Sequence, residues 1–254
     1  MHPVFFRVGS FAIHTYGVLV AIGFLLGLTL AGRRAKQENM DPRQISDLGI
    51  WLILAGMGGA KLFHIVFFWN EFIAAWRADG PASLREGFVF YGGFLGAVVA
   101  TVVFARRRRL PLWKLADICA PTVALGHAFG RLGCFFNGCC YGTPCHWPWA
   151  VRFPGDHLMH GIPVHPTQLY EVLGNLAIFG ALWTLYRRRR FDGQIWWWYV
   201  LAYGALRFGV EFYRGDYETH YFGLFTLGHL IAAVLMAIAA IGLWGTTRWR
   251  SPRT

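Results

Sequence analysis

Seven apolar stretches, each near the roughly 20 residues that a helix needs to cross a bilayer, dominate this chain of 254 residues. They fall at about 13–32, 47–69, 88–105, 113–134, 167–186, 194–212 and 222–244. So many such runs leave little chain for any other plan. The composition agrees: 56% of residues are hydrophobic and only 15% are charged, against about 25% charged in a soluble domain. A soluble globular enzyme, a disordered chain and a collagenous one are therefore excluded. The expected fold is all-α: a polytopic integral membrane protein of seven transmembrane helices, with residues 1–254 forming one transmembrane domain.

The basic residues orient it. The net charge of +11 would suggest nucleic acid if it formed a face. Instead it lies in short clusters between apolar runs, so no nucleic-acid partner is expected. Arg33, Arg34, Lys36 and Arg43, then Arg106–Arg109 with Lys114, then Arg187–Arg190, then Arg248, Arg250 and Arg253 fall in alternate loops and the C-terminal tail. They number 16, against five in the opposite set: Arg7, Arg77, Arg85, Arg152 and Arg214. The larger set marks the cytoplasmic side, which predicts N-terminus outside and C-terminus inside. The first apolar run precedes its positive charges, unlike a cleavable signal peptide. Residues of about 135–166, rich in Pro, Gly and His, are expected to form a small external cap.

With that orientation, polar side chains of several spans fall at one depth, in the outer half. They are Tyr16, Lys61, Tyr91, Arg131, the set Gln168, Tyr170 and Glu171, and the trio Tyr203, Arg207 and Glu211. An ionisable group in mid-membrane costs at least about 2.5–3.5 kcal/mol, so it marks a functional site by default. Snorkelling and an aromatic belt are the plainer alternative. They explain the tyrosines better than Arg131 beside a glycine-rich turn, or Arg207 flanked at four residues by Tyr203 and Glu211. Arginine suits phosphate, which its planar fork can grip. Two arginines and Lys61 thus predict a site for an anionic phospholipid head group. Gly92, Gly93 and Gly96 could let backbone approach such a head group, although close helix packing would equally use them.

At these residues the chain resembles the phosphatidylglycerol–prolipoprotein diacylglyceryl transferase family. The family signature G-R-x-G-N-F-x-N-x-E-x-x-G corresponds to residues Gly130–Gly142. Further matches are Tyr16-Gly17, Tyr91–Gly96, His165–Glu171, Tyr203–Phe208 and Glu211–Arg214, in family order over about residues 8–215. The resemblance implies transfer of the diacylglyceryl group of phosphatidylglycerol to the lipobox cysteine thiol of a prolipoprotein signal peptide, giving a thioether and glycerol-1-phosphate. It also implies a bacterial cytoplasmic (inner) membrane location. Arg131 and Arg207 match the family's essential arginines, and Tyr16, Asn137 and Gly142 also match functional positions. Glu211 and Tyr203 are expected to hold Arg207. The expected partners are phosphatidylglycerol, prolipoprotein signal peptides and membrane lipids. No cofactor or metal is expected, and the expected state is a monomer.

This chain departs from the family at three positions. Tyr91 stands where the family usually has a histidine proposed as the base, Cys134 replaces the signature Asn, and Cys139 replaces its Glu. The chain is then either a divergent subgroup with rewired polar contacts or a relative of altered activity. Tyr91 is a poor base, since an unperturbed phenol titrates near about 10, but it could orient a phosphate oxygen. His127, four residues before Arg131 on the same helix face, could supply a base or simply bond a neighbouring helix.

The cysteine group Cys134, Cys139, Cys140 and Cys145 invites other readings. Disulfides pinning the cap are the plainest, because an outer location permits them. Zinc with His146, His157 or His160 has no usual spacing here. A membrane thiol oxidoreductase would want a C-x-x-C pair, which the chain lacks, and a transporter would more often show repeats with polar groups near the midplane. Asp117 on the fourth span reads either as a buried partner or as interfacial, and His229 on the seventh as a packing residue.

Overall fold

Helices occupy every one of the seven expected stretches in the computed structural model, which describes residues 4–8, 11–154, 159–215 and 225–248. They are α1 (Thr15–Gln37), α2 (Pro42–Phe67), α4 (Phe90–Arg107), α5 (Leu112–Asn137), α6 (Thr167–Leu185), α7 (Gln194–Glu211) and α8 (Leu227–Arg248). A further helix, α3 (Trp69–Asp79), and a 3-10 turn, Gly80–Arg85, fill the loop between α2 and α4. Among the described residues, five segments are long and apolar enough to cross a membrane: α1, α2, α4, α6 with its 3-10 extension to Arg188, and α8 as far as Gly245. The polar residues that α5 and α7 carry lower their hydropathy: Lys114, Asp117, His127 and Arg131 on one, Gln194, Arg207 and Glu211 on the other.

The chain is mostly helical, as expected, and four short strands accompany the helices. Strands β1 (Val4–Val8) and β2 (Phe11–His14) pair antiparallel ahead of α1, and β3 (Val151–Arg152) pairs with β4 (Pro163–Val164). Hydropathy summed over some twenty residues, the length of a membrane span, cannot see pairings this short. His157, Arg250 and Arg253, singled out above, lie outside the described residues.

Tertiary contacts divide the chain into two compact units, Ala31–Leu115 and the combination of Met1–Leu30 with Ala116–Thr254. In the Ala31–Leu115 unit, Asp41 caps α2 by accepting from the Arg43 N–H at 2.9 Å, with Pro42 in the first turn. The α2–α4 seam is built on glycine. A Cβ at Gly59 would lie 2.5 Å from the Gly92 carbonyl oxygen, one at Gly93 would lie 3.1 Å from that of Gly56, and one at Gly92 or Gly96 would collide with the Gly59 or Ala55 carbonyl. Removing side chains here lets two backbones touch, which is how membrane helices gain dispersion contact without a hydrophobic drive. Outside the seam, the Lys61 ammonium donates to the carbonyls of Ser83 at 3.0 Å and Glu86 at 2.6 Å.

The other unit packs α1 on α5, where Gly23 faces Phe129 and Gly27 faces Thr122, then α6 on α7 and α7 on α8 through Gly174 and Gly204. Asp117 is fully buried and accepts from the backbone N–H groups of Gly193 at 2.8 Å and Trp196 at 2.9 Å. A carboxylate of α5 thereby satisfies donors that the first turn of α7 leaves without intrahelical partners, and it meets the positive end of that helix. Asp117 is thus a buried partner. The segment between α5 and α6 folds back by β-like pairing: Gly142 N–H to the His165 carbonyl at 2.9 Å, His165 N–H to Thr143 at 3.0 Å, and Thr143 N–H to Tyr213 at 2.8 Å.

Candidate functional site

Four charged side chains from three helices form an alternating chain inside the larger unit. Glu171 of α6 sits between two arginines: its Oε2 is 2.8 Å from Nε of Arg131 on α5, and its Oε1 is 3.7 Å from Nη1 of Arg207 on α7. Arg207 also meets Glu211, one helical turn on, at 2.6 Å between Nη2 and Oε2. Thr226, just before α8, donates its hydroxyl to Oε1 of Glu211 at 2.5 Å, and its backbone N–H donates to Nδ1 of His229 at 3.1 Å. The order of charge is plus, minus, plus, minus.

Burial is unequal along this chain. The carboxylate side chains are 2% exposed at Glu171 and 0% at Glu211, whereas the guanidinium side chains of Arg131 and Arg207 keep 21% and 14%. Buried charges are tolerable when paired. Here the acids lie in the protein and the cations retain a face. Arg131 meets Glu171 through Nε, and its two terminal nitrogens lie outside that ion pair. Such an edge can grip two oxygens of a phosphate at once.

The flanking aromatic groups come from α1, α5 and α7. Tyr203 lies within hydrogen-bonding reach of Arg131, so it serves that arginine as well as neighbouring Arg207. The His127 ring packs 4.8 Å from the Tyr203 ring, and its Nδ1 lies 3.1 Å from the Tyr199 hydroxyl. That partner on α7 is the helix-bonding alternative considered for His127. Tyr16, half exposed at the start of α1, lies within electrostatic range of Arg131, Cys134, Cys139 and Cys140, and Gly133 leaves the space its ring occupies. His229 is buried among Phe208, Phe212 and Phe225, as a packing residue.

The turn after α5 is held from α6. Gln168 donates to the Cys139 carbonyl at 2.7 Å and Thr167 to the Cys140 carbonyl at 2.8 Å, both from buried positions. Asn137, exposed at the end of α5, lies within hydrogen-bonding reach of Cys139. A Cβ at Gly142 would come within 2.5 Å of the Tyr213 carbonyl oxygen and 2.7 Å of the His165 Cβ, so only glycine fits there. Gln168 and Gly142, expected to bind substrate, both contact this loop. Nearby, the His165 Nδ1 is 3.0 Å from the Tyr170 hydroxyl, and burial holds its imidazole below the usual histidine range.

All five cysteines are free, so the expected disulfides are absent from this structure, and Cys145 is buried away from the other three. The sulfurs of Cys134, Cys139 and Cys140 lie within 4.8 Å of one another. Hydrogen bonds from Cys134 and then Cys139 hold the Cys140 thiol below its ordinary range, with Arg131 and Arg214 acting the same way.

Five expected site residues sit among the following neighbours. Gly92, Gly93 and Gly96 are spent on the α2–α4 seam. Lys61, expected to face an anion, meets two backbone carbonyls and lies over the rings of Phe72 and Phe88. Tyr91 is exposed in the first turn of α4. All five belong to the Ala31–Leu115 unit. Conversely, Glu171 was legible only as one polar residue among several at its depth. The signal that could have singled it out is its fixed offset of three from Gln168, which places both on one helix face.

Residues 3–245 match the model of the family described as prolipoprotein diacylglyceryl transferase. Among curated relatives, the phosphatidylglycerol–prolipoprotein diacylglyceryl transferase of Synechococcus elongatus is 34% identical over 251 residues, covering 95% of this chain and 86% of the relative. That of Thermosynechococcus vestitus is 35% identical, covering 95% and 90%. That of Bordetella parapertussis is 35% identical, covering 95% and 94%.

Proposed function

The chain belongs to the prolipoprotein diacylglyceryl transferase family, and on that premise we propose that it moves the diacylglyceryl group of phosphatidylglycerol onto the lipobox cysteine thiol of prolipoproteins. The thiol sulfur, having lost its proton to solvent, attacks the glyceryl carbon. The carbon–oxygen bond to phosphate breaks, and glycerol-1-phosphate leaves with the electron pair. Negative charge grows on the departing phosphate, so the step gains most from cations already fixed at that position.

The observation that carries this reading is the buried Glu171 carboxylate between Arg131 and Arg207. It aligns two guanidinium groups before any ligand arrives. In this reading Arg131 and Arg207 hold the phosphate, Glu171 and Glu211 orient them, and Tyr203 and Tyr16 flank Arg131. Gln168, Gly142 and Asn137 shape the adjoining loop, and His127 supports Tyr203. Incubating the purified protein with radiolabelled phosphatidylglycerol and a lipobox peptide should place label on the peptide cysteine. The reading is lost if no label transfers where a working relative labels the same peptide.

The reading includes orientation: seven crossings in a bacterial cytoplasmic membrane, N-terminus outside, with the segment between α5 and α6 external. Reporter fusions after residues 36, 109 and 190 and at the C-terminus should report the cytoplasm. Fusions near residues 78 and 155 should report the outside. The charge asymmetry motivates this. A cytoplasmic signal near residue 155 would turn the arginines towards the inner leaflet and contradict the scheme.

A further inference from the structure

The turn that ends α5 brings three cysteines together by a definite backbone device. The Cys139 N–H reaches the Cys134 carbonyl at 3.1 Å and the Gly138 N–H reaches the Phe135 carbonyl at 3.3 Å, with Gly138 at φ +76°. This is a Schellman motif, and the side chains on either side of its long bond normally meet in an apolar contact. Here both positions are cysteine. Cys140 then takes φ +60°, a left-handed conformation in which a side chain other than glycine, Asn or Asp is uncommon. Such strain concentrates at functional sites. It turns the third thiol back on the first two, while Thr167 clamps the Cys140 carbonyl and Gln168 that of Cys139.

Three sulfurs within 4.8 Å suit one metal ion. Zinc–sulfur bonds of about 2.3 Å place sulfurs about 3.8 Å apart in a tetrahedron, an adjustment of at most about 1 Å. Soft thiolates select zinc-class or cuprous cations over magnesium or calcium. Three thiolates around a divalent cation leave one negative charge, and Arg131 and Arg214 both act electrostatically on Cys140. Three protein ligands also leave a tetrahedral ion one open position, which is the pattern of catalytic rather than structural zinc.

We propose that Cys134, Cys139 and Cys140 bind one divalent cation of the zinc class, and that its open position takes the acceptor thiol. The inference rests on the transferase reading above. The acceptor thiol binds as thiolate and releases its proton to solvent. It then attacks the glyceryl carbon beside Arg131, which stands three residues, one helical turn, before Cys134. The thioether formed is a poor ligand and leaves, and the cation returns to its three-thiolate state.

The test uses the full chain in detergent or nanodiscs, purified without chelator and loaded with zinc, then with cobalt(II) or cadmium(II) as spectroscopic probes. One cation per chain is expected, with thiolate charge-transfer bands. Each of Cys134→Ser, Cys139→Ser and Cys140→Ser should weaken binding by more than about 100-fold, since outer-shell changes alone cost about 10–100-fold. Cys119→Ser and Cys145→Ser should leave it unchanged, which separates ligation from general unfolding. Adding a lipobox peptide should intensify the charge-transfer band, and a peptide with serine in place of cysteine should not.

The site is overturned by substoichiometric metal, by binding that survives the triple serine variant, or by a disulfide within the trio in the purified protein. An undiminished transfer rate after complete metal removal overturns the role of the cation and leaves the transferase reading standing. Peptide-thiol uptake by the loaded protein without transfer supports the site and counts against that reading.

Discussion

Replacing Glu171 by glutamine is expected to cut diacylglyceryl transfer by about 100-fold or more, the loss typical of one misplaced electrostatic donor, and to destabilise the protein. Glu171 is 2% exposed and lies against Arg131 at 2.8 Å and Arg207 at 3.7 Å. Removing one partner of a buried ion pair costs about 3–5 kcal/mol. The lower end applies here, since both arginines keep access to solvent. Glutamine preserves shape and one acceptor oxygen but no charge. Arg131 and Arg207 would then repel each other across the space the carboxylate held, and each could leave its alignment. A fall of several degrees in the midpoint of thermal unfolding, together with a lost rate, is the expected pair of results. A Glu171→Gln protein with normal stability and normal transfer would show that the arginines need no shared carboxylate. Glu171→Asp separates the causes: charge without reach should restore stability more than rate.

That Glu171 carries so much was not apparent from its place in the chain. Sequence gives a residue's depth and its helix face, because hydropathy and the basic loops set both. It does not give the partner across a helix interface. Glu171, Gln168 and Tyr170 share one turn and one depth, yet Glu171 meets two arginines, Gln168 meets the Cys139 carbonyl and Tyr170 meets His165. The same limit explains Lys61, whose depth suggested an anion but whose neighbours are carbonyls. Arg207 and Glu211 were legible because their contact lies within one helix, at a spacing of four. The glycines of α4 had two readings, and packing was as legible as ligand approach. The close approach of Cys134 and Cys139 without a disulfide was not legible, since its origin is the left-handed Gly138 after α5.

Arg131→Lys and Arg207→Lys should each lower transfer by about 100- to 1,000-fold although the charge is kept. Lysine offers one nitrogen where arginine offers a rigid fork. At Arg131, Nε meets Glu171 and the two terminal nitrogens lie outside that ion pair, with Tyr203 within hydrogen-bonding reach of the group. A lysine ammonium drawn to Glu171 points its single nitrogen at the acid and away from the phosphate. At Arg207 the demand is greater, because Nη2 meets Glu211 at 2.6 Å and Nη1 faces Glu171 at 3.7 Å. One ammonium cannot span two carboxylates and also reach a ligand. Arg207→Lys should therefore lose stability as well as rate, while Arg131→Lys should lose mainly rate. Phosphatidylglycerol binding, followed separately from transfer, decides what the fork does. Binding that weakens as much as the rate falls would assign the arginines to ground-state recognition. A rate that falls with binding intact would assign them to the charge developing on the leaving phosphate. Near-normal transfer by both lysine variants would remove phosphate recognition from these residues altogether, since a point charge at either position would then be enough.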